Sequence, residues 1–298
     1  MYRFHTVTSP EAAFHFLVSN LIHRGGWPFI DGRIAGLPVQ SWPEPTDPVP
    51  VGLVDGDYLV TKAPDAVDAG SGDAIQLILH PIGPTIDLVL GRLNLGFDEA
   101  WDTVAHVFDG STVYLTSSIS IDSPELFLYA SLRGLVIARL DATLGDVLSG
   151  RAMGYLETAV LRGTNTAPQL GAGDDPLPAC QFNLNNLLAP PLLGVAFGNG
   201  EVFDEAGAIA DADVVVQMWS QDSDELHDAS IEFGGGVPVH VLTRCLVMQT
   251  PALDPGFLRG IFPNVFITSR NAAKAVLRVG FDDSEYVVIG RRVAVGPL

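Results

Sequence analysis

The sequence predicts a mainly β (α+β) chain, with an antiparallel sandwich or barrel-like body, an N-terminal helix and one or two further short helices. Three observations lead there. Short apolar, β-branched runs recur along the 298 residues, punctuated by Gly, Pro and Asp clusters. A helical apolar period occurs near the start, at Phe14, Leu17, Val18, Leu21 and Ile22. No internal repeat of roughly 20–50 residues points instead to a solenoid or propeller.

The first predicted element is that helix. Thr8 and Glu11 stand at capping-box spacing, Pro10 suits a first turn, and Gly25-Gly26 follows Arg24 as a stop. Trp27 to Pro50 then carries prolines at 28, 38, 43, 45, 48 and 50, a density that predicts an extended arm. A helix carried on such an arm suits subunit docking; a helix folded back on its own domain is the alternative. From Val51 the pattern turns to strands. Val51 to Lys62 predicts a hairpin turning on Asp55-Gly56-Asp57, and Ala74–His80 with Thr85–Leu93 predicts a second strand pair.

Phe97, Trp101, Val104, Ala105 and Phe108 share one helical face, with acids at 98, 99 and 102 favouring its N-terminus, so a helix is expected over 97–108. Thr112–Ile121 alternates as a half-buried strand, and Leu135–Leu140 reads as another. Leu126–Leu132 fits a short helix after Ser123-Pro124-Glu125 and fits a strand equally. Residues 164–178 are polar, Gly/Pro-rich and aperiodic, an internal boundary. Strand-like runs follow at Leu192–Phe197, Asp213–Trp219, Ser230–Phe233, Val237–Met248, Asn264–Thr268, Lys274–Phe281 and Glu285–Val295. The last two form a predicted hairpin around Asp282-Asp283-Ser284. The expected organisation is 1–50 for helix and arm, 51–163 for a first β-rich half, and 179–298 for a second that could share its domain.

Charge is unevenly spread. The net charge is −19, and only 17% of residues are charged. Residues 1–162 hold nine bases and nineteen acids, residues 163–243 hold twelve acids and no base, and residues 244–298 hold seven bases and four acids. Such a balance argues against nucleic acid and anionic membrane as partners, because both need a basic face. A surface thin in charge suits coverage by other subunits as well as a Ser/Thr/Asn/Gly-rich monomer. Met1-Tyr2-Arg3-Phe4-His5 opens no predicted signal peptide, since the following apolar run is broken by His15, Ser19 and Asn20. No run reads as a membrane span: Leu126–Leu140 has Arg133 at its centre.

Candidate chemistry is sparse. Asp222, Asp224 and Asp228, with Glu225 and His227, make an acidic knot rich in oxygen ligands for a hard cation. It lacks the mid-loop Gly and closing Glu of an EF-hand, and a solvated acidic loop is the expected reading. Asp174-Asp175 sit in the Gly/Pro-rich boundary, where a fixed carboxylate separation is hard to hold. Gly234-Gly235-Gly236 and Gly70-Ser71-Gly72 lack the Lys-Ser/Thr of a phosphate loop. Seven His are scattered at 5, 15, 23, 80, 106, 227 and 240, and His15 and His23 miss the i, i+4 spacing of a helical metal pair. Cys180 and Cys245 show no metal-ligand spacing, and two buried thiols are expected. No catalytic residue, cofactor or metal is therefore assigned.

The helix Thr8–Gly26, the arm Trp27–Pro50 and a β-rich body closing on LRVGFDDSEYVVIGRRVAV give a chain that resembles virion structural proteins of tailed bacteriophages, of the neck, tail and baseplate kind. That resemblance implies a non-enzymatic subunit of a symmetric ring or shell, assembled with other virion proteins in a host cytoplasm. The acidic and basic segments suit head-to-tail contacts between copies, hence a homo-oligomer. The competing expectations are an enzyme or ligand-binding domain, such as a carboxylate-based polysaccharide hydrolase, and a β-sandwich module holding Ca²⁺ in the 222–228 loop.

Overall fold

The computed structural model describes residues 1–64, 73–80, 84–92, 112–122, 124–141, 147–155, 179–184, 200–203, 213–218, 231–233, 237–239, 242–250, 257–268, 276–279, 284–290 and 293–297. The protein is mainly β: antiparallel sheets with one N-terminal helix among the described residues. It divides into two compact units, Met1–Arg139 and, as the second, Leu140–Asp204 with Ile209–Leu298. The expected helix at 97–108 and strand at Leu192–Phe197 fall outside the described residues.

Unit 1 begins with a strand, not with the helix. β1 (Tyr2–Thr6) leads into α1 (Pro10–His23). Its N-cap is Ser9, not Thr8: the Ser9 hydroxyl accepts from the Ala12 amide at 3.1 Å, and Pro10 opens the first turn. Ala12 stands where a capping-box Glu would be needed, so Glu11 contributes charge near the N-terminus rather than a reciprocal cap. Gly25 ends the helix by necessity. A Cβ there would lie 2.5 Å from the Leu21 carbonyl oxygen and 3.0 Å from the Ala130 side chain.

The strands of unit 1 form two sheets. β2 (Phe29–Ile34), β3 (Leu37–Pro38), β4 (Tyr58–Thr61), β5 (Asp73–His80), β6 (Thr85–Arg92) and β7 (Thr112–Ser120) run in the order β3-β2-β4-β5-β6-β7. β1 pairs with β8 (Glu125–Ala130), which neighbours β9 (Gly134–Leu140). The 126–132 ambiguity resolves as strand. Alternation hides itself there, because Leu126 to Ala130 are buried on both faces. α1 packs against β5 of one sheet and β8 of the other.

The proline-rich segment is structured. It supplies β2 and β3, and it buries Trp27 and Trp42. Trp27 donates its indole N–H to the Ser131 carbonyl at 2.8 Å. The expected Asp55-Gly56 hairpin does not form. Gly56 takes the left-handed conformation the dipeptide suits, at φ 83°, but residues 51–57 are turns and β4 pairs with β2 and β5. The hairpin of this region lies earlier, between β2 and β3, on Ala35 (φ 53°) and Gly36 (φ 77°).

One buried side chain ties these turns together. The Asp57 carboxylate accepts from the amides of Ala35 at 2.8 Å, Gly36 at 2.9 Å and Val54 at 2.8 Å. Its own amide donates to the Val54 carbonyl, and its carbonyl accepts from Leu79. Three donors replace the water that a buried carboxylate gives up.

Unit 2 is a single long antiparallel arrangement plus a small pair. Its strands are β10 (Val147–Tyr155), β11 (Ala179–Asn183), β12 (Gly200–Phe203), β13 (Asp213–Met218), β14 (Ile231–Phe233), β15 (Val237–Val239), β16 (Leu242–Thr250), β17 (Phe257–Thr268), β18 (Val276–Val279), β19 (Ser284–Gly290) and β20 (Val293–Val295). The order is β10-β11-β12-β13-β16-β17-β20-β19-β18, with β14-β15 apart. The run expected as one strand at Val237–Met248 divides into β15 and β16. The β18–β19 pair matches the expected closing hairpin. Phe266, Val288 and Ala294 form a core cluster on which the Tyr286 ring packs. Gly296 is required there, since a Cβ would collide with the Tyr286 ring. Asn264, at φ 67°, anchors the same end by donating its side-chain amide to the Gly296 carbonyl at 3.0 Å.

The strand order also separates the cysteines. Phe182, Gly200, Val214 and Gln249 form one row across β11, β12, β13 and β16. Cys180 lies two residues to one side of that row and Cys245 four to the other. Three strand spacings of ~4.8 Å and that offset at ~3.4 Å per residue place their Cα atoms roughly 20 Å or more apart. A disulfide needs less than about 7 Å.

Two outcomes are expected. Thiol titration of the unfolded, unreduced monomer should return both cysteines free, and a result of none would overturn the strand order. Asp57→Ala should lower unfolding free energy by about 3 kcal/mol or more, because three inward-facing amides lose their acceptor. Denaturant unfolding followed by circular dichroism reads this, and a loss within ~0.5 kcal/mol, the usual range for a surface substitution, would refute the anchor.

Candidate functional site

The acidic knot with Asp222, Asp224 and Asp228, read as a solvated loop with a cation site as the alternative, lies outside the described residues, as do Asp174, Asp175, His106, His227 and His240. Among the described residues no group of three or more His, Cys, Asp or Glu stands together as a metal site. Nor, among them, is any helix long and apolar enough to cross a membrane. Polar chemistry concentrates instead in unit 1, where α1 meets residues 42–47, a strap within the proline-rich segment.

Helical spacing puts Phe14, Leu17, Val18 and Leu21 into the interior, and His15 and Ser19 go with them. His15 is 4% exposed and Trp42 is 2% exposed. The Trp42 indole meets Phe14 edge to face, with ring centroids 5.5 Å apart. Its N–H donates to Nδ1 of His15 at 3.3 Å, and the Ser19 hydroxyl stands 3.0 Å from the same nitrogen. An indole N–H only donates, so Nδ1 is an acceptor and His15 is neutral with its proton on Nε2. That Nε2 is buried without a hydrogen bond of good geometry.

The strap is held a second time one helical turn onward. Nε2 of His23 donates to the Trp42 carbonyl at 2.8 Å, and its Nδ1 lies 3.3 Å from the Glu44 carboxylate. Both His23 nitrogens therefore face acceptors, which the imidazolium form satisfies together. The strap is closed on itself by an Asx turn, in which the Asp47 carboxylate accepts from the Glu44 amide at 2.9 Å. On the other side of α1, His5 from β1 stacks on Phe16 at 4.5 Å between ring centroids.

Burial pushes the His15 imidazole below its ordinary value of 6.5; the Asp47 main chain and carboxylate pull it back in part, and His23 adds to the depression. His5 is depressed too, first by burial and then by His15. Burial likewise raises the Tyr58 phenol, aided by the nearby Asp31 carboxylate, to which the hydroxyl donates at 3.1 Å. The His15–Ser19 pair is not a hydrolytic dyad: both side chains are buried, so no substrate reaches the hydroxyl.

A second feature lies where Asp57 gathers its amides. The amides of Ala35, Gly36 and Val54 turn inward onto one carboxylate, which leaves the neighbouring side chains facing out. Val51 is 94% exposed and Leu37 67%, with Val49 and Val54 exposed beside them. A Cβ at Gly52 would touch the Ala35 side chain at 3.6 Å, so the two turns lie side by side. β3 is the edge strand of its sheet, two residues long and ending at Pro38. The result is an apolar edge with Asp47 and Asp55 exposed near it.

The sequence signalled neither feature plainly. His15 and His23 were legible only as a failed metal pair, although a His and a Ser four residues apart inside an apolar stripe do mark a buried polar contact. Leu37 lies in a segment whose prolines predict extension, and Val51 opens a run that predicts a hairpin. No protein-family model matches the chain, and no curated protein matches it.

Trp42→Ala should cost about 3–5 kcal/mol of unfolding free energy, the usual range for a buried aromatic. Urea unfolding monitored by helical ellipticity measures it, and a loss below ~1 kcal/mol would show that the strap lies outside the core of unit 1.

Proposed function

We propose that this chain is a non-enzymatic structural subunit of a large symmetric assembly, of the kind that forms necks, tails and baseplates in tailed-bacteriophage virions. The observation that carries this reading is the apolar edge around Leu37, Val49, Val51 and Val54. A valine left 94% exposed on a turn tied down by a buried carboxylate is an ordered apolar surface, the sort that marks a protein contact. The occupant of this edge is a second copy of the chain. Two copies of a protein with net charge −19 repel one another, so they meet best across an apolar surface, with the exposed Asp47 and Asp55 left at its solvated margin. Pro38 lacks an amide proton, and β3 is too short to template a further strand; the contact is made by side chains.

The acidic 163–243 segment and the base-rich 244–298 segment supply a second, electrostatic contact between copies or with other virion proteins. The two contacts differ in their response to salt, which screens the second and leaves the first.

Sedimentation or native mass measurement of the full chain at low and high salt tests the reading. The expected result is an oligomer that shrinks but persists at high salt. Leu37→Asp combined with Val51→Asp should then yield monomer at high salt with an unchanged circular dichroism spectrum. A wild-type monomer at both salts, at the highest soluble concentration, would overturn it.

A further inference from the structure

The contact between α1 and the strap contains one group whose hydrogen-bonding role reverses on taking up a proton. Nδ1 of His15 has a single lone pair, and in the neutral ring it is the acceptor for the Trp42 indole N–H. Once that nitrogen carries a proton it can only donate. Trp42 cannot receive, because the indole nitrogen has no acceptor. Ser19 can: its hydroxyl, 3.0 Å from Nδ1 and on the same helix, either donates or accepts. A proton on His15 thus moves its hydrogen bond from the strap to the helix, leaving a buried indole N–H without a partner.

We infer that His15, Ser19 and Trp42 form a proton-operated latch that holds residues 42–47 on α1 at neutral pH and releases the Trp42 indole in acid. This is independent of the assembly reading, although the strap runs directly into Val49 and Val51 of the apolar edge.

The charged and titratable groups around His15 set the direction. On α1, His23 opposes a second positive charge; on the strap, Asp47 favours it; His5 on β1 is itself depressed by His15. Burial is the largest influence and opposes the proton. The folded imidazole therefore titrates below 6.5 while the unfolded one titrates near it. The stability that this contact adds is fully present above pH 6.5, falls as pH drops beneath that value, and is lost once pH passes the lower, folded value, where the contact itself opens. Across that window the equilibrium shifts by about tenfold per pH unit. His23 does not share the reversal, because both of its nitrogens face acceptors, and it keeps its hold on the Trp42 carbonyl in acid.

The test uses the full chain labelled with ¹⁵N and follows indole N–H resonances from pH 7.5 down to the onset of acid unfolding, Trp42 being assigned by its loss in Trp42→Phe. The Trp42 indole signal should shift and lose protection from solvent exchange as pH passes the folded value of His15, below 6.5, whereas the Trp27 signal, bonded to the Ser131 carbonyl, should not. His15→Gln should abolish the pH step. Ser19→Ala, which removes the acceptor for the added proton, should move the midpoint to lower pH and decides the matter if His15→Gln does not fold. His23→Gln should leave the step in place. A Trp42 signal unchanged over the range, a step surviving in His15→Gln, a midpoint unmoved in Ser19→Ala, or a step lost in His23→Gln would each overturn the latch.

Discussion

The Asp57 carboxylate collects three amide protons from two turns, while its own main chain bonds to Val54 on one side and Leu79 on the other. Most of what is distinctive in unit 1 depends on this arrangement. It sets the end of β2, the tight turn to β3, the 51–57 loop and the start of β4. Because the donors point inward, the side chains on those turns point outward. The exposed position of Leu37 and Val51 is a direct consequence of where Asp57 places the backbone, not of loose packing.

The same economy explains why a segment with six prolines in 24 residues packs down instead of extending. Proline lowers the entropy that the unfolded segment loses on ordering, so a few anchors suffice to hold it. Trp27 and Trp42 are those anchors, each burying a large ring and each satisfying its indole N–H, one on the Ser131 carbonyl and the other on His15. The strap between the prolines then needs only the Asp47–Glu44 turn and the two contacts of His23.

How much of this was legible in the sequence depends on the range over which each signal acts. The stripe of α1 and the strand runs at 74–80, 85–93 and 135–140 are local periodicities that fall on α1, β5, β6 and β9, whereas the run expected at 285–295 is divided between β19 and β20. The N-cap lies one residue beyond the expected Thr8, because Thr8 and Ser9 are both good caps and only packing decides between them. Asp55-Gly56 predicts a hairpin that does not form, for a similar reason. The dipeptide specified its turn correctly, with Gly56 at φ 83°, but not which strands the turn would join. Ala35-Gly36 was missed since Ala at positive φ is uncommon and needs an outside partner, here the carboxylate 22 residues on. The functional features were harder to read than the fold because they are tertiary: an indole 27 residues from its imidazole leaves no spacing to recognise.

Asp57 and His15 are both polar groups buried in unit 1, yet they stabilise it in different ways. An ionised carboxylate only accepts, and around Asp57 every group bonded to its side chain is a backbone amide that only donates. No rearrangement of protons among those partners gives a second satisfied state, so the turns it holds have one geometry. A neutral imidazole accepts at one nitrogen and donates at the other, and His15 has beside it one partner of fixed role, the indole, and one of reversible role, the hydroxyl. Two bonded states then exist for Nδ1, of which only one includes the strap. The rigid anchor therefore fixes the turns at 35–36 and 54, and the reversible one holds the strap that lies between them in the chain.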